Sequence, residues 1–425
     1  MLFFILFYNL NVENFIFQSF VYVNIVCYVN GKQKDNNFLD LNMSKCKNFH
    51  GGYFFKKFVG TPKGNIVATE RIVNWEKIAQ SSKEWENLSI DVLKKIIQES
   101  HFPLPLDQDV KGFVIRALES HPFRMSATHW IQGRWDDAVI GLQILQKLFV
   151  NCPIYIGCDS SDSSFYKKME KAIAPLDKVF VYRLKAKYPQ ELDELLYESM
   201  VRVSLPAGGK PSDVGYYVLN IEDLLAIHDA VVVGKPYLER MVFLYGNGFT
   251  VNFGLKLTMG TPLKKALEPY FSTAEEVRLL EGNALTGEVI TEETLVKHET
   301  RMVTCLKEDR RRGFLFFLRP GFFVDSFSRT FASWFVPTSR KLDTNLHGEE
   351  RPCIQCSYCE NVCPRSLLPN LMHRYCSHEM EEEALAIGMR KCLDCKLCSY
   401  VCPSKIEKNF KAIVEKLDAE NDSKQ

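Results

Sequence analysis

The sequence lacks an excess of either charge. Its 425 residues hold 53 Lys and Arg against 52 Asp and Glu, a formal net charge of +1. No global field therefore draws the chain toward nucleic acid. It also lacks an apolar run of the roughly twenty residues that a spanning helix needs. The nearest approach, residues 1–31, is interrupted by Asn9, Asn11, Glu13, Asn14, Gln18 and Asn24 and has no Lys or Arg before Lys32. That pattern reads against the basic start and apolar core of a signal peptide. No G-x-G-x-x-G follows a strand-like segment and no G-x-x-x-x-G-K-[ST] occurs, so the usual dinucleotide and P-loop signatures are missing. Cysteine is scarce over most of the length: Cys27, Cys46, Cys152, Cys158 and Cys305 are scattered singly. A disulfide scaffold is excluded by that scatter, and a reducing compartment is expected. The hydrophobic share of 46% and charged share of 25% are those of a globular chain, too long for one core.

Local patterns divide the chain. Residues 1–42 read as an atypical extension that need not be translated, with Met43 as an alternative start; a weak membrane-associating segment is the other reading. Residues 43–105 form a short N-terminal region. It has a β-like stretch at 50–60, then Ile90, Val92, Leu93, Ile96 and Ile97 at helical spacing, and the Pro-rich 102–106 closes it. Residues 106–235 alternate helix and strand. Asp136 and Asp137 open a helix with Val139, Leu142, Ile144, Leu145 and Leu148 inward. Strands are expected at 153–158 and 178–182, a helix at 165–173, and a further helix capped by Asn220 and ending at Gly234. This alternation predicts an α/β fold with a Rossmann-like parallel sheet. Residues 236–309 predict a small α+β domain, with strands 241–245 and 249–253 joined in a hairpin through Gly246-Asn247-Gly248.

Cysteine then becomes abundant. Cys353-x-x-Cys356-x-x-Cys359-x-x-x-Cys363-Pro364 is repeated as Cys392-x-x-Cys395-x-x-Cys398-x-x-x-Cys402-Pro403. Three thiolates two residues apart can wrap three corners of an iron–sulfur cubane, and the fourth, beside proline, is directed to the other cluster. The expected ligands of one [4Fe–4S] cluster are Cys353, Cys356, Cys359 and Cys402, and those of the second are Cys392, Cys395, Cys398 and Cys363. Zinc is the competing reading, but zinc sites come as separated C-x-x-C pairs around a loop. Cys376 and His373, between the motifs, are extra to the count, and Cys376 is expected to be a spare thiol. Residues 346–425 are thus expected to be a helical dicluster ferredoxin domain.

Two further features keep open readings. Pro206-Ala207-Gly208-Gly209-Lys210 is a plain turn or a phosphate contact. Residues 310–345 form a basic and aromatic linker, in which Arg310, Arg311, Arg312, Arg319 and Arg329 interleave with eight Phe and Trp334. Such a segment packs on its neighbour, docks on a membrane partner or, least in keeping with a neutral chain, binds RNA.

A family resemblance is carried by collinear segments. They are His121-Pro122-Phe123-Arg124, residues 140–145 followed by 154–156, Leu205-Pro206-Ala207-Gly208, residues 220–224, residues 278–287 and Arg319-Pro320-Gly321. In this order they resemble the A subunit of the sodium-translocating NADH:quinone reductase. The cysteine tail is similar to that of the C subunit of Rnf electron-transport complexes. The resemblance implies an iron–sulfur electron-transfer subunit of an ion-translocating, sodium-linked NADH:quinone (ubiquinone) reductase, an oxidoreductase of the translocase class. It also implies membrane subunits as partners, no nucleic acid, and peripheral attachment to the cytoplasmic face of the cell membrane. The Gly-rich loop associated with flavin and NADH in the Rnf C subunit has no counterpart here, and most of the biotinyl-like N-terminal domain is missing. No flavin or NAD site is therefore expected in this chain, and quinone contact would belong to the complex. A soluble ferredoxin-type adaptor and a structural scaffold stapled by clusters are the readings from other classes.

Overall fold

The computed structural model describes residues 24–25, 58–59, 75–121, 127–131, 133–249, 254–271, 276–307 and 350–422. The chain divides into two units, Met1–Ile72 and Val73–Gln425. In the first, β1 (Asn24–Ile25) and β2 (Phe58–Val59) pair antiparallel, with Asn24 opposite Val59. Strand pairing thus joins residues on either side of the boundary expected at 42.

The second unit begins with helix α1 (Ile90–Ser100), which Ser89 caps by accepting a hydrogen bond from the Val92 amide. Four strands follow: β3 (Gly112–Ala117), β4 (Ile154–Asp159), β5 (Val179–Leu184) and β6 (Tyr216–Asn220). They form an all-parallel sheet in the order β5-β4-β3-β6. Helices α3 (Trp135–Leu148), α4 (Ser163–Ile173) and α5 (Asp193–Val201) make the crossovers, the short α2 (Ala127–Trp130) precedes α3, and α6 (Asp223–His228) follows β6. Such a sheet must be covered on both faces, and alternation along each strand does it. Phe113, Ile115, Ile154 and Ile156 meet Leu142, Ile144, Leu145 and Leu224, while Val114 and Tyr155 meet Leu196, Tyr197 and Met200 of α5. Leu93, Ile96, Ile97, Phe102 and Leu104 lie in the first of these cores. Helix α1 therefore shares a core with the sheet across the expected boundary at 105. Gly141 of α3 allows α6 to approach, because a Cβ there would stand 2.0 Å from the Leu224 carbonyl oxygen.

A second, mixed sheet is built from β7 (Glu239–Tyr245), β8 (Gly254–Thr258), β9 (Val277–Glu281), β10 (Glu288–Val289) and β11 (Met302–Lys307), ordered β10-β9-β11-β7-β8. Helix α7 (Leu263–Leu267) follows β8 and contributes Leu263 and Leu267 to a core with Val242, Leu244, Leu257, Leu279 and Val303. The other face turns Phe243, Tyr245 and Met302 into the core of the parallel sheet. The hairpin expected at 241–253 differs in detail. The strand pairing with β7 is Gly254–Thr258, Phe249 bridges to Phe271, and residues 250–253 lie outside the described residues. Gly246 and Gly248 instead face β11, where Cβ atoms would stand 2.1 Å from the Cys305 carbonyl oxygen and 2.4 Å from its sulfur. Close approach to a neighbouring strand requires both glycines, and Gly246 also has a φ of +110°.

Asn220 does not cap a helix. It ends β6, and its amide and side chain both donate to the Asp223 carboxylate, at 2.7 and 3.1 Å. Helix α6 starts at Asp223, and the chain reaches Gly234 through a wider turn over Asp229–Val233. The Gly208-Gly209 segment is a turn closed by Gly209 N donating to Pro206 O at 3.0 Å. The basic and aromatic segment at 310–345 lies outside the described residues.

The C-terminal region consists of α8 (Tyr358–Asn361), α9 (Pro369–Cys376), α10 (Glu381–Ala386), α11 (Leu397–Tyr400) and α12 (Phe410–Asp422). Leu367, Met372, Ala384, Met389 and Phe410 form its small core. Tyr188 Oη donates to the Cys395 carbonyl at 2.8 Å, and Arg365 pairs with Glu198 of α5 at 2.5 Å, which seats this region against the parallel sheet's α5 side.

Candidate metal centre

The two cysteine motifs take the same backbone path. Gln355 and Ser357 in the first, and Asp394 and Lys396 at the matching positions of the second, have φ between 51° and 58°. Ser366 and Lys405, at matching positions after the two prolines, have φ of 52° and 57°. A left-handed conformation in a non-glycine residue costs roughly 1–2 kcal/mol. Its repetition at equivalent positions shows that the strain belongs to the motif. Each pair of left-handed residues reverses the chain between successive cysteines, and the third cysteine falls on a single helical turn, α8 or α11. The turns close alike, with Tyr400 N donating to Lys396 O at 2.9 Å, and Asn361 N to Ser357 O at 3.2 Å. Cys363 N and Cys402 N donate to Glu360 O and Ser399 O at 3.2 Å each.

This path gathers the eight cysteines around two cavities. One, about 430 Å³ including space open to solvent, is lined by Cys363, Cys392, Cys395 and Cys398. The other, about 320 Å³, is lined by Cys353, Cys356, Cys359 and Cys402. Each cavity thus takes three cysteines from one motif and the proline-flanked fourth from the other. Among the described residues no three His, Cys, Asp or Glu side chains come together as ligands of a single ion. Four thiolates on one zinc, at about 2.3 Å each, would need to converge far more tightly. Thiolates spread around a cavity fit the outer corners of a cubane.

Burial pushes the Cys395 thiol up to about 12, against which the Leu397 amide pulls it down. Burial likewise pushes Cys359 and Cys398 up to about 11 each, with Lys408 the main opposing influence. Cys392 is also raised by burial, opposed by the Asp394 amide. Cys376 lines neither cavity. It packs at the small core, its sulfur 3.8 Å from that of Met389, and burial raises its pKa.

A second candidate lies where the parallel sheet reverses its winding. Ligands of such sheets bind beyond the carboxyl ends of the strands at the switch point, here between β3 and β6. The residues following these strands are Leu118-Glu119-Ser120-His121 and Ile221-Glu222-Asp223. His121 Nε2 is 3.2 Å from the Glu119 carboxylate, and although burial alone would lower its pKa, Glu119 holds it above the usual range. Arg301 reaches across from β11's edge and binds Glu222 through Nε at 2.6 Å and Nη2 at 3.2 Å, stacked 4.3 Å over the Trp130 ring. Arg240 lies 3.6 Å from both Glu222 and Asp223. His121, Glu222 and Asp223 fall in segments that carried the family resemblance, but the cluster itself was not read from the sequence, because its members lie far apart in the chain.

Comparison with known proteins bears on both places. Residues 352–406 match the 4Fe-4S dicluster domain. Residues 101–229 match the FMN-binding domain named Nuo51. The second match goes against the expectation that this chain has no flavin site. At the switch point, however, neither loop carries a glycine, and the carboxylates of Glu119, Glu222 and Asp223 gather there. Their charge is taken up by Arg240, Arg301 and His121. The described residues there do not fit a flavin phosphate.

Among curated proteins, the chain is 24% identical over 327 residues to the C subunit of the proton-translocating ferredoxin:NAD(+) oxidoreductase complex of Clostridium ljungdahlii. That match covers 73% of this chain and 64% of the relative. It is 25% identical to the C subunit of the ion-translocating oxidoreductase complex of Buchnera aphidicola, over 64% of this chain and 48% of that protein. The C subunit of the Na(+)-translocating ferredoxin:NAD(+) oxidoreductase complex of Acetobacterium woodii is 22% identical, covering 69% and 62%. The chain therefore spans about half to two thirds of these relatives' length. A NAD+-reducing [NiFe]-hydrogenase structure aligns over 54% of this chain and 49% of its own, with a TM-score of 0.43 and 12% identity, too weak a likeness to assign anything. These matches do not support the expected kinship with the A subunit of the quinone reductase, nor quinone or ubiquinone chemistry. The likeness to C subunits, expected for the cysteine tail alone, runs through the α/β region as well. Short collinear segments did not separate two related families. Among the described residues no helix is long and apolar enough to cross a membrane.

Proposed function

We propose that this chain is the iron–sulfur electron-transfer subunit, of the C type, of a membrane ion-translocating oxidoreductase that moves electrons between ferredoxin and NAD. The observation that carries the reading is the crossed pair of four-cysteine cavities. Cys353, Cys356, Cys359 and Cys402 would hold one [4Fe–4S] cluster, and Cys392, Cys395, Cys398 and Cys363 the other. A cluster of this kind, when bound, accepts and returns one electron at a time. The chain's own residues fix the ligands by strained turns, donate amides toward the thiolates, and tie the Cys395 segment to Tyr188 of the α/β region. Similarity to C subunits over most of the chain supports membrane subunits as partners and peripheral attachment to them.

Anaerobically purified protein should contain about eight irons and eight acid-labile sulfides, with broad absorbance near about 400 nm. Zinc in their place would overturn the cluster reading. Expressed with its polytopic neighbours, the chain should co-purify with them; purification alone, with clusters loaded, would favour a soluble adaptor.

A further inference from the structure

Lys408 is 4% exposed, and it lines both cysteine cavities. Its ammonium nitrogen lies 3.4 Å from the Cys398 carbonyl oxygen and 3.5 Å from that of Ile406, and its amide donates to Ser399 Oγ at 2.9 Å. Among the described residues it forms no ion pair with a carboxylate. Removing an ammonium from water without an anion carries a penalty of several kcal/mol, so a lysine at this depth needs negative charge nearby. The concentration of it at hand among the described residues is the two sets of thiolates.

We propose that Lys408 is a positioning charge shared by the two clusters, which raises both reduction potentials together. The inference rests on the cluster reading above. With four thiolate ligands each centre is a net anion, and one-electron reduction adds a further negative charge. A fixed positive charge in the wall common to both cavities therefore stabilises the reduced form of each more than the oxidised form. A residue on one side only would move one potential. Lys408 should move the pair, which keeps them matched for transfer between them.

The test uses the full chain, purified anaerobically and titrated with dithionite while the reduced clusters are followed by electron paramagnetic resonance. Iron and sulfide counts on the parent come first, so that failure of the cluster reading is seen separately. Lys408→Met should lower the reduction equilibrium constant of both clusters at least tenfold, a fall of 59 mV for a one-electron couple. Lys408→Arg, which keeps the charge, should stay near the parent. Midpoints within threefold of the parent in Lys408→Met, or a shift in one cluster alone, would overturn the proposal. If Lys408→Met and Lys408→Gln lose iron while Lys408→Arg keeps it, the charge is needed to hold the anionic centres, as the proposal requires. Loss of iron in all three would mean that only the shape of lysine matters, and the proposal fails.

Discussion

The crossed lining of the two cavities makes a prediction that neither motif read alone would make. Cys363 stands four residues beyond Cys359 in the chain, yet it lines the cavity of Cys392, Cys395 and Cys398. Changing Cys363 to alanine should therefore remove the second cluster and spare the one whose motif it terminates. The magnitude follows from the ligand sets: each cavity is closed by four cysteines, so losing one ligand should cost about four of about eight irons. Pairs of substitutions decide the wiring. Cys363→Ala with Cys398→Ala falls in one cavity and should still leave about four irons, no worse than either alone. Cys363→Ala with Cys359→Ala strikes both cavities and should leave almost none, although these residues are near neighbours in sequence. Cys376→Ser, which alters a thiol lining neither cavity, should leave iron and sulfide unchanged. The assay is iron and sulfide per chain, with circular dichroism to confirm that the rest of the protein is folded. Half the iron surviving in Cys363→Ala/Cys359→Ala, or full loss in Cys363→Ala/Cys398→Ala, would refute the crossed arrangement.

Two further outcomes test the scaffold. Gly141→Ala should destabilise the α/β region by about 2 kcal/mol or more, because its Cβ would fall 2.0 Å from the Leu224 carbonyl oxygen where α3 meets α6. Gly133→Ala has open space but a φ of +74° and should cost only about 1 kcal/mol; equal denaturant midpoints for the two would contradict the close-approach argument. In the cluster-free protein, Cys359, Cys395 and Cys398 have pKa values raised by burial from 9.0 to about 11, 12 and 11. Unfolded thiols ionise first as pH rises, so the stability these groups contribute is intact below about 9 and is lost progressively toward about 12. The urea midpoint of the apoprotein should fall between about pH 8 and about pH 10.5 more steeply than that of the loaded protein, and parallel profiles would show that the buried thiols do not control it.

How much of this was legible in the sequence depended on how local each signal was. The cysteine spacing encodes its own turns, so the two motifs announce both the cavities and their crossing. Helix α3 was legible from Leu142, Ile144, Leu145 and Leu148, which share the inward face. Helix α4 was legible as well, and Asp162 caps it by accepting from the Phe165 amide at 3.0 Å. The central strands β3 and β6 were not. Gly112–Ala117 is buried on both faces and so shows no alternation, and Tyr216–Asn220 reads as the approach to a helix because Asn220 is a good cap residue in isolation. Those two strands flank the switch point, and missing them hid the cluster of Glu119, His121, Glu222, Asp223, Arg240 and Arg301.

The same distinction explains the seam between the α/β region and the cysteine domain. Tyr188, Glu198 and Gly208 are unremarkable in sequence. Each becomes informative through what it meets: Tyr188 bonds the Cys395 carbonyl, Glu198 pairs with Arg365, and a Cβ on Gly208 would lie 3.3 Å from the Arg390 carbonyl oxygen. All three contacts fall on or beside the second motif and the start of the insert, and none on Cys353 or Cys356. The cavity of Cys392, Cys395 and Cys398 is therefore the one held against the α/β region, while Cys353 is exposed and Ile354 beside it is 66% exposed. The seam thus sets apart two motifs that are otherwise alike in spacing and backbone conformation.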